Sequence, residues 1–523
     1  MRLFAPLNQD LIPSLQNIEI SSTFQIPFFQ IVGLPSLEVS EARERVRAAM
    51  DASGYEFPRR RIILNLSPSS VRKRGTGLDL PMALGVLAAG ETDDQIRILA
   101  WGELGLDGNI RSVGQALRTL YCAWSHEIPH LLTSVEDISV MEYWIPLIYE
   151  SKVFDHPPPI LHAIGNLKSA WETCEKIKKG FAPLKADYSN PIKIKDSEPF
   201  STELLPLSPS LERTVGLAAS GFHHLLILGP KGVGKSRVLD WLIQSIPPLD
   251  SKTQIDHRLL AELLDCDPKS RFLHHPAVRK VSSHAKPAAL LGSAGTVIRP
   301  GEFSLAHGGL LIADELPEWP RDSRESFREP LETGVITITR VLGSCALPAR
   351  FALAATGNLC PCGGWPNDLP QPEHREGAPA PISCDCSLLQ RKNYLRKLSG
   401  PILDRIDLVR IVSSAQLGSA NPDLLKQLQA RVIRTRGTMI ERWGGVPGQI
   451  SAGHLESLLR KYPWIKKSLD GDLSSSLRGR HKLFRLVLTI SAWDQCESPN
   501  LAHLTEARSY RPERLGSLGG TPA

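Results

Sequence analysis

Gly229-Pro230-Lys231-Gly232-Val233-Gly234-Lys235-Ser236 follows the apolar run Leu225-Leu226-Ile227-Leu228 and precedes a helical pattern from Arg237 to Ile243. Strand, then G-x-x-x-x-G-K-[ST], then helix is the context in which a Walker A match predicts a nucleotide site. Glycines let backbone N–H groups wrap phosphates, and the helix that follows points its positive end at them. In this arrangement Lys235 is placed to reach the β- and γ-phosphates, and Ser236 to ligate Mg²⁺. The stretch therefore predicts a P-loop α/β domain that binds a nucleoside triphosphate.

Two further strands decide what the triphosphate is for. Leu310-Leu311-Ile312-Ala313 is a buried-strand run ending in Asp314-Glu315, which reads as Walker B. Asp314 is expected to hold Mg²⁺ through water. Glu315 is expected to position or deprotonate the attacking water, a role that hydrolysis needs and simple binding does not. Phe351 to Gly357 is a third apolar strand, tipped by Asn358 as a candidate sensor of the γ-phosphate.

The rest of the composition sets bounds. The chain has 523 residues and a net charge of +6, enough length for three or four domains and mildly basic. Residues 43 to 74 gather Arg43, Arg45, Arg47, Arg59, Arg60, Arg61, Arg72, Lys73 and Arg74 against only Glu44, Asp51 and Glu56. Such a cluster is either a solvated or interdomain face or a phosphate track. The apolar run Met82 to Ala89 falls well short of the ~20 residues a spanning helix needs, and the N-terminus lacks a leader pattern. Nine cysteines in a large nucleotide-binding chain fit a reducing cytoplasm better than a disulfide framework. Cys360-Pro361-Cys362 and Cys384-Asp385-Cys386 form two close pairs flanking a Gly/Pro-rich insert. Four thiolates from one loop suit a tetrahedral structural Zn²⁺ site, with free thiols or a redox pair as the alternatives.

Along the chain, residues 1–165 read as one α/β domain. Within it are a strand and turn from Gln25 to Leu34, a helix from Glu41 to Met50 capped by Ser40, and a strand from Arg61 to Leu66. Residues 166–205 read as a linker holding a short helix. The nucleotide core spans 206–412 with the Cys-rich insert at 360–386, and contains a hairpin from Val335 to Ala349. Residues 413–523 read as mostly helical.

These motifs together resemble the ComM/YifB family of magnesium-chelatase-like AAA+ ATPases over nearly the whole chain. The resemblance rests on Ile31-Val32-Gly33-Leu34-Pro35, Glu41 to Ala49 and Leu78 to Gly85 in the first part. In the second part it rests on Arg299 to His307, Asp314-Glu315-Leu316-Pro317-Glu318, Asn358 to Gly363 and Ser399 to Leu408. It implies an inactive Lon-protease-like N-terminal domain, a P-loop AAA+ core with a parallel sheet, and a C-terminal helical lid. It implies sensor 1 at Asn358, an arginine finger at Arg405 and the lid arginine called sensor 2 at Arg478. Sites shared between subunits imply a ring, a homo-hexamer. Lon proteases use a Ser/Lys dyad; matching without gaps puts Gly77 and Leu117 at those positions, and neither is a nucleophile or a base. The chain departs from the family in having Ser282-Ser283 in place of a His-His pair, Gly357 before Asn358, and a longer segment from Gly363 to Ser383.

The function implied is ATP hydrolysis, with Mg²⁺, driving movement on single-stranded or branched DNA without a membrane partner. The family points to branch migration in homologous recombination and natural transformation. The rival readings are a chelatase-type or regulatory ATPase that remodels a protein partner, and an ATP-dependent protease, which Gly77 and Leu117 disfavour.

Overall fold

The computed structural model describes residues 1–7, 10–69, 73, 75–89, 96–181, 204, 207–263, 277–294, 298–340, 343–365, 384–398, 400–412, 423–470 and 477–511. The chain divides into two compact units. The first comprises Met1–Lys195 with Asp250–Leu273 and Gly295–Arg299; the second comprises Asp196–Leu249, His274–Ala294 and Pro300–Ala523.

The first unit is built on a mixed sheet. Among the described residues its strands run Phe28–Val32, Arg61–Ser67, Ser14–Thr23, Arg2–Leu7, Arg97–Trp101, His130–Ser134 and Ile160–Ile164 across the sheet. Ser14–Thr23 pairs antiparallel with both neighbours, and the strands from Arg97 onward pair parallel. The helix Asp79–Leu87 is buried at every residue but the last, which explains its apolar run without any membrane. Among the described residues no helix is long and apolar enough to cross a bilayer.

Three sequence expectations are corrected here. The first helix runs Leu37–Ala52, and its cap is Ser36, whose Oγ accepts from Val39 N at 3.4 Å. Ser40 lies one turn inside, donating to the Ser36 carbonyl at 3.0 Å. The helix placed in the linker, Leu167–Lys178, belongs to the first unit: Asn166 caps it, and Leu167, Ala170, Cys174 and Ile177 are buried. Residues 182–203 of the expected linker lie outside the described residues.

The third correction concerns Ser251–Leu263, which follows the P-loop helix in sequence yet folds into the first unit. Its Glu262 supplies what the helix Ala116–Ser125 lacks. That helix starts from Gln115 in the left-handed region with no side-chain cap, and four orphan N–H groups need partners at any helix start. The Glu262 carboxylate accepts from Leu117 N at 3.1 Å and from Arg118 N at 2.9 Å. Arg258 closes on the same carboxylate at 3.1 Å, one turn back. Burial pushes the Glu262 carboxyl upward, against the pull of Arg258.

The second unit holds a five-stranded, all-parallel sheet in the spatial order Val278–Val281, Leu310–Ala313, Ala352–Gly357, Leu225–Leu228, Leu408–Ile411. Both faces are covered, as parallel sheets require. Leu225, Ile227, Leu310, Ile312, Ala352, Ala354 and Leu408 face one core. Leu226, Leu228, Leu311, Ala313, Leu353, Ala355 and Val409 face the other. The alternation follows from the two-residue repeat of a strand and explains why these segments read as unbroken apolar runs. C-terminal helices Leu424–Trp443 and Leu477–Trp493 pack into the first of those cores. The hairpin Val335–Arg340 with Gly343–Pro348 forms as expected.

Candidate functional site

All five strands of the second sheet point the same way, so the residues following them gather along one edge. Gly229 follows its strand and donates from N to the Gly357 carbonyl at 3.2 Å. A Cβ on Gly229 would lie 2.3 Å from the Val412 carbonyl oxygen, so the turn admits only glycine. Gly232 and Gly234 take φ of +77° and +87°, the left-handed region a phosphate-wrapping loop needs. The helix Lys235–Ser245 starts at the end of this loop, with the Ser236 side chain exposed.

Lys235 Nζ donates to the carbonyls of Gly229 at 2.9 Å and Pro230 at 2.7 Å, and to Asn358 Oδ1 at 3.0 Å. Asn358 is 4% exposed at the end of the intervening strand. Burial lowers the Lys235 pKa, while Asp314 and Glu315 pull it back up. Walker A lysine, strand-tip asparagine and the two acids thus share one electrostatic site.

Asp314 and Glu315 close the strand Leu310–Ala313. Glu315 sits at φ +50°, uncommon for a residue with a Cβ, with its side chain exposed. Thr356, two residues before Asn358, links both acids: its Oγ1 donates to Asp314 Oδ1 and accepts from Glu315 N at 3.0 Å. Trp319 Nε1 holds the Asp314 carbonyl at 2.9 Å. Sequence reading missed Thr356 and Trp319; a hydroxyl within an otherwise apolar strand was the available signal. Gly357 is explained by packing, since a Cβ there would lie 2.9 Å from the Pro317 ring.

Arg405 and Arg478 meet at one carboxylate. Both pair with Glu332, and Arg405 also donates to the Pro401 carbonyl at 2.6 Å. None of these partners belongs to the phosphate loop or to Walker B. Two residues on, the buried Asp407 carboxylate accepts from His224 N at 3.0 Å and lies 3.8 Å from Lys482. Burial alone would raise the Asp407 pKa, but Lys482 and His223 hold it well below the usual carboxylate range. Glu332 had no signal in the sequence.

The four grouped cysteines converge. Cys360, Cys362, Cys384 and Cys386 place their sulfurs within 4.8 Å of one another. Residues 366–383, which include most of the lengthened segment, lie outside the described residues.

The basic cluster of the first unit is divided. Arg45 is committed to buried Asp79 at 2.7 Å, and Lys73 is buried. Arg47 covers Phe57, while Arg72 and Arg74 lie outside the described residues. Arg60 stacks on Phe24 at 3.9 Å, and Arg61 donates to Gln25 Oε1 at 3.0 Å. Phe24 is 84% exposed and Ile26 87% exposed beside them.

Comparison with known proteins agrees with this geometry. The family model described as magnesium chelatase, subunit ChlI, matches residues 208–419, and that for subunit ChlI of Mg-chelatase matches residues 18–137. The chain belongs to the ComM/YifB family of magnesium-chelatase-like proteins. It is 29% identical to an uncharacterized protein YifB of Salmonella typhimurium over 94% of this chain and 93% of that one. It is 28% identical to the competence protein ComM of Haemophilus influenzae over 95% of this chain and 94% of that one. An uncharacterized protein of Mycobacterium tuberculosis is 29% identical over 98% of both chains. Membership in the ComM/YifB family makes the chain an AAA+ ATPase that uses ATP and Mg²⁺.

Proposed function

We propose that this ATPase works as a ring, a homo-hexamer in the cytoplasm, that drives branch migration on single-stranded or branched DNA in homologous recombination and natural transformation. The observation that carries the ring is the separation of charges. Lys235, Asn358, Asp314 and Glu315 share one site, while Arg405 and Arg478 converge on Glu332. An arginine that completes a neighbour's site makes hydrolysis depend on assembly. The DNA partner is supported by the competence relative and by exposed Arg59 and Arg61 and half-buried Arg60 beside Phe24.

In this reading the loop from Gly229 to Ser236, with Pro230, Lys231, Gly232, Val233 and Gly234 between, wraps the phosphates with backbone N–H groups. Ser236 and Asp314 would hold Mg²⁺, which would supply positive charge to offset the negative charge of the phosphates. The residues fit that ion: the Ser236 hydroxyl is exposed, and Thr356 occupies only one Asp314 oxygen. Glu315 orients the attacking water and takes its proton. Asn358 and Lys235 read the γ-phosphate, Arg405 serves the neighbouring subunit as a finger, and Arg478 acts as the lid arginine. The residues beyond 413 act as that lid. Cys360, Cys362, Cys384 and Cys386 hold a structural Zn²⁺.

The first unit, in this reading, is a Lon-type domain without protease chemistry. A Cβ at Gly77 would lie 2.4 Å from the Trp101 ring, so no serine fits there, and Leu117 is a buried apolar side chain. The decisive experiment is ATP-driven branch migration on a labelled mobile junction, with Lys235→Ala and Arg405→Ala alongside. Product from wild type and none from either variant supports the motor. Robust ATPase stimulated by a protein partner, without junction product, favours chelatase-type remodelling, the reading that the matched family model's description supports.

A further inference from the structure

The four cysteines sit against the phosphate loop, and that contact carries a consequence for nucleotide binding. The turn Cys360-Pro361-Cys362-Gly363 begins two residues after Asn358. Its Gly363 carbonyl accepts from Lys231 N, inside the Walker A loop, at 2.8 Å. Gly363 takes φ +80°, and a Cβ there would lie 2.7 Å from Lys231 Cγ, so backbone and lysine stem are in close packing. The cysteine turn is therefore a wall of the phosphate loop and an extension of the strand that ends in Asn358.

The sulfurs are arranged for a metal rather than for disulfides. Cys360 Sγ lies 3.3 Å from Cys362 Sγ and 3.6 Å from Cys384 Sγ. Four sulfurs about 2.3 Å from a tetrahedral zinc ion stand roughly 3.8 Å apart, whereas a disulfide needs about 2.05 Å. Backbone donors complete the pattern. Gly364 N donates to Cys362 Sγ at 3.4 Å and Trp365 N to Cys360 Sγ at 3.3 Å, the N–H···S bonds that orient thiolate ligands. The second pair leads directly into the helix Leu388–Leu395, which Ser387 caps. Lys397, just beyond it, reaches Glu318 of the Walker B turn at 3.2 Å.

We infer that zinc held by Cys360, Cys362, Cys384 and Cys386 fixes the Gly363–Lys231 contact and thereby sets the affinity of the phosphate loop for nucleotide. The inference rests on the nucleotide-site and zinc reading above and assigns the metal a control over ATP binding beyond the folding of an insert. Without the metal no ligand bond ties the Cys384-Cys386 pair to the Cys360-Cys362 turn, so metal loss frees the turn. The loop then loses the carbonyl that holds Lys231, and Asn358 loses its fixed neighbour.

The test measures zinc by mass spectrometry and nucleotide affinity with a fluorescent ATP analogue on the full chain. Wild type is expected to carry stoichiometric zinc. Cys384→Ser with Cys386→Ser removes two ligands outside the turn that carries Gly363; zinc should be lost and the nucleotide Kd should rise about tenfold, near 1.4 kcal/mol. Gly363→Ala should weaken binding by a similar factor with zinc retained. Chelation of folded wild type, followed by zinc addition, should lower and then restore affinity, and decides the matter if the double variant does not fold. Wild type that neither contains nor takes up zinc overturns the site. Zinc loss with Kd unchanged within about twofold overturns the control while leaving the site. Failure of zinc-loaded wild type to bind nucleotide sinks the ATPase reading instead.

Discussion

In the first unit two carboxylates, Glu262 and Asp79, are sealed and saturated. Glu262 accepts from two backbone amides and Arg258 together, and Asp79 takes both prongs of Arg45. Along the P-loop edge of the second unit the two acids stand at the open end of a parallel strand with capacity to spare. Glu315 is exposed, Asp314 has one oxygen engaged by Thr356, and Lys235 is held by neutral oxygens of the loop and Asn358. Charge whose hydrogen bonds are complete within the fold is architecture. Charge gathered along one edge of a parallel sheet, with its bonds incomplete, is a place for a ligand. The two units therefore fail differently when a single charge is removed.

The largest effect is expected at the exposed acid. Glu315→Gln keeps the left-handed turn and the Thr356 contact while removing the base, so ATP turnover should fall about 10³-fold. Nucleotide affinity should stay within about twofold, read by the same fluorescent analogue. Turnover within tenfold of wild type would remove Glu315 from the water-positioning role.

Arg405→Ala should lower turnover by a comparable factor, roughly 10³-fold. Its distinguishing feature is rescue. Mixing Arg405→Ala subunits with Lys235→Ala subunits should restore part of the activity, because each supplies what the other lacks across a shared interface. Mixtures no more active than either variant alone would make Arg405 a within-subunit partner of Glu332.

In the first unit, Glu262→Ala should cost stability instead of chemistry. Removing one partner of a buried pair typically costs about 3–5 kcal/mol, since the remaining charge is left unpaired. Hydrogen exchange should quicken in Ala116–Ser125, whose first amides lose their acceptor. Nucleotide affinity unchanged beside that loss would confirm the division of labour; affinity that fell with it would break the comparison.

How much of this was legible in the sequence follows the same division. The strands and the helix that carry Gly229 to Ser236, Asp314-Glu315 and Asn358 form where the sequence puts them, since each is a local pattern of strand, turn and charge. The cysteine pairs were likewise legible as a group. What escaped is carried by contacts distant in sequence. Nothing near Glu262 announces that it caps a helix at Leu117, nor near Glu332 that two arginines meet there. Thr356 serves Asp314 from the adjacent strand, a relation that exists only once the register is fixed. The boundary at 166 was misplaced because Pro and Lys obscured an amphipathic helix that buries only Leu167, Ala170, Cys174 and Ile177.

A smaller effect probes the DNA surface. Charge reversal at Arg59, Arg60 and Arg61 together should weaken DNA binding at least about tenfold and flatten its salt dependence. Loss of ATPase activity in the absence of DNA should not accompany it, because these side chains lie in the first unit. An unchanged affinity and salt slope would reassign the exposed Phe24 and its arginines to another partner.

The smallest effect separates two serines four residues apart. Sequence periodicity favours Ser40 as the helix cap, whereas the structure gives the role to Ser36, 7% exposed, with its Oγ facing Val39 N. Ser36→Ala should cost about 1 kcal/mol, the usual worth of an N-cap, and speed exchange in the first turn of Leu37–Ala52. Ser40→Ala removes only a hydroxyl that donates back to the preceding turn, a bond of little net value to a helix. Its exchange profile should match wild type. Equal losses from both substitutions would mean that the first turn frays to a start at Ser40, and that the extra turn contributes nothing to the unit that Arg45 and Asp79 hold together.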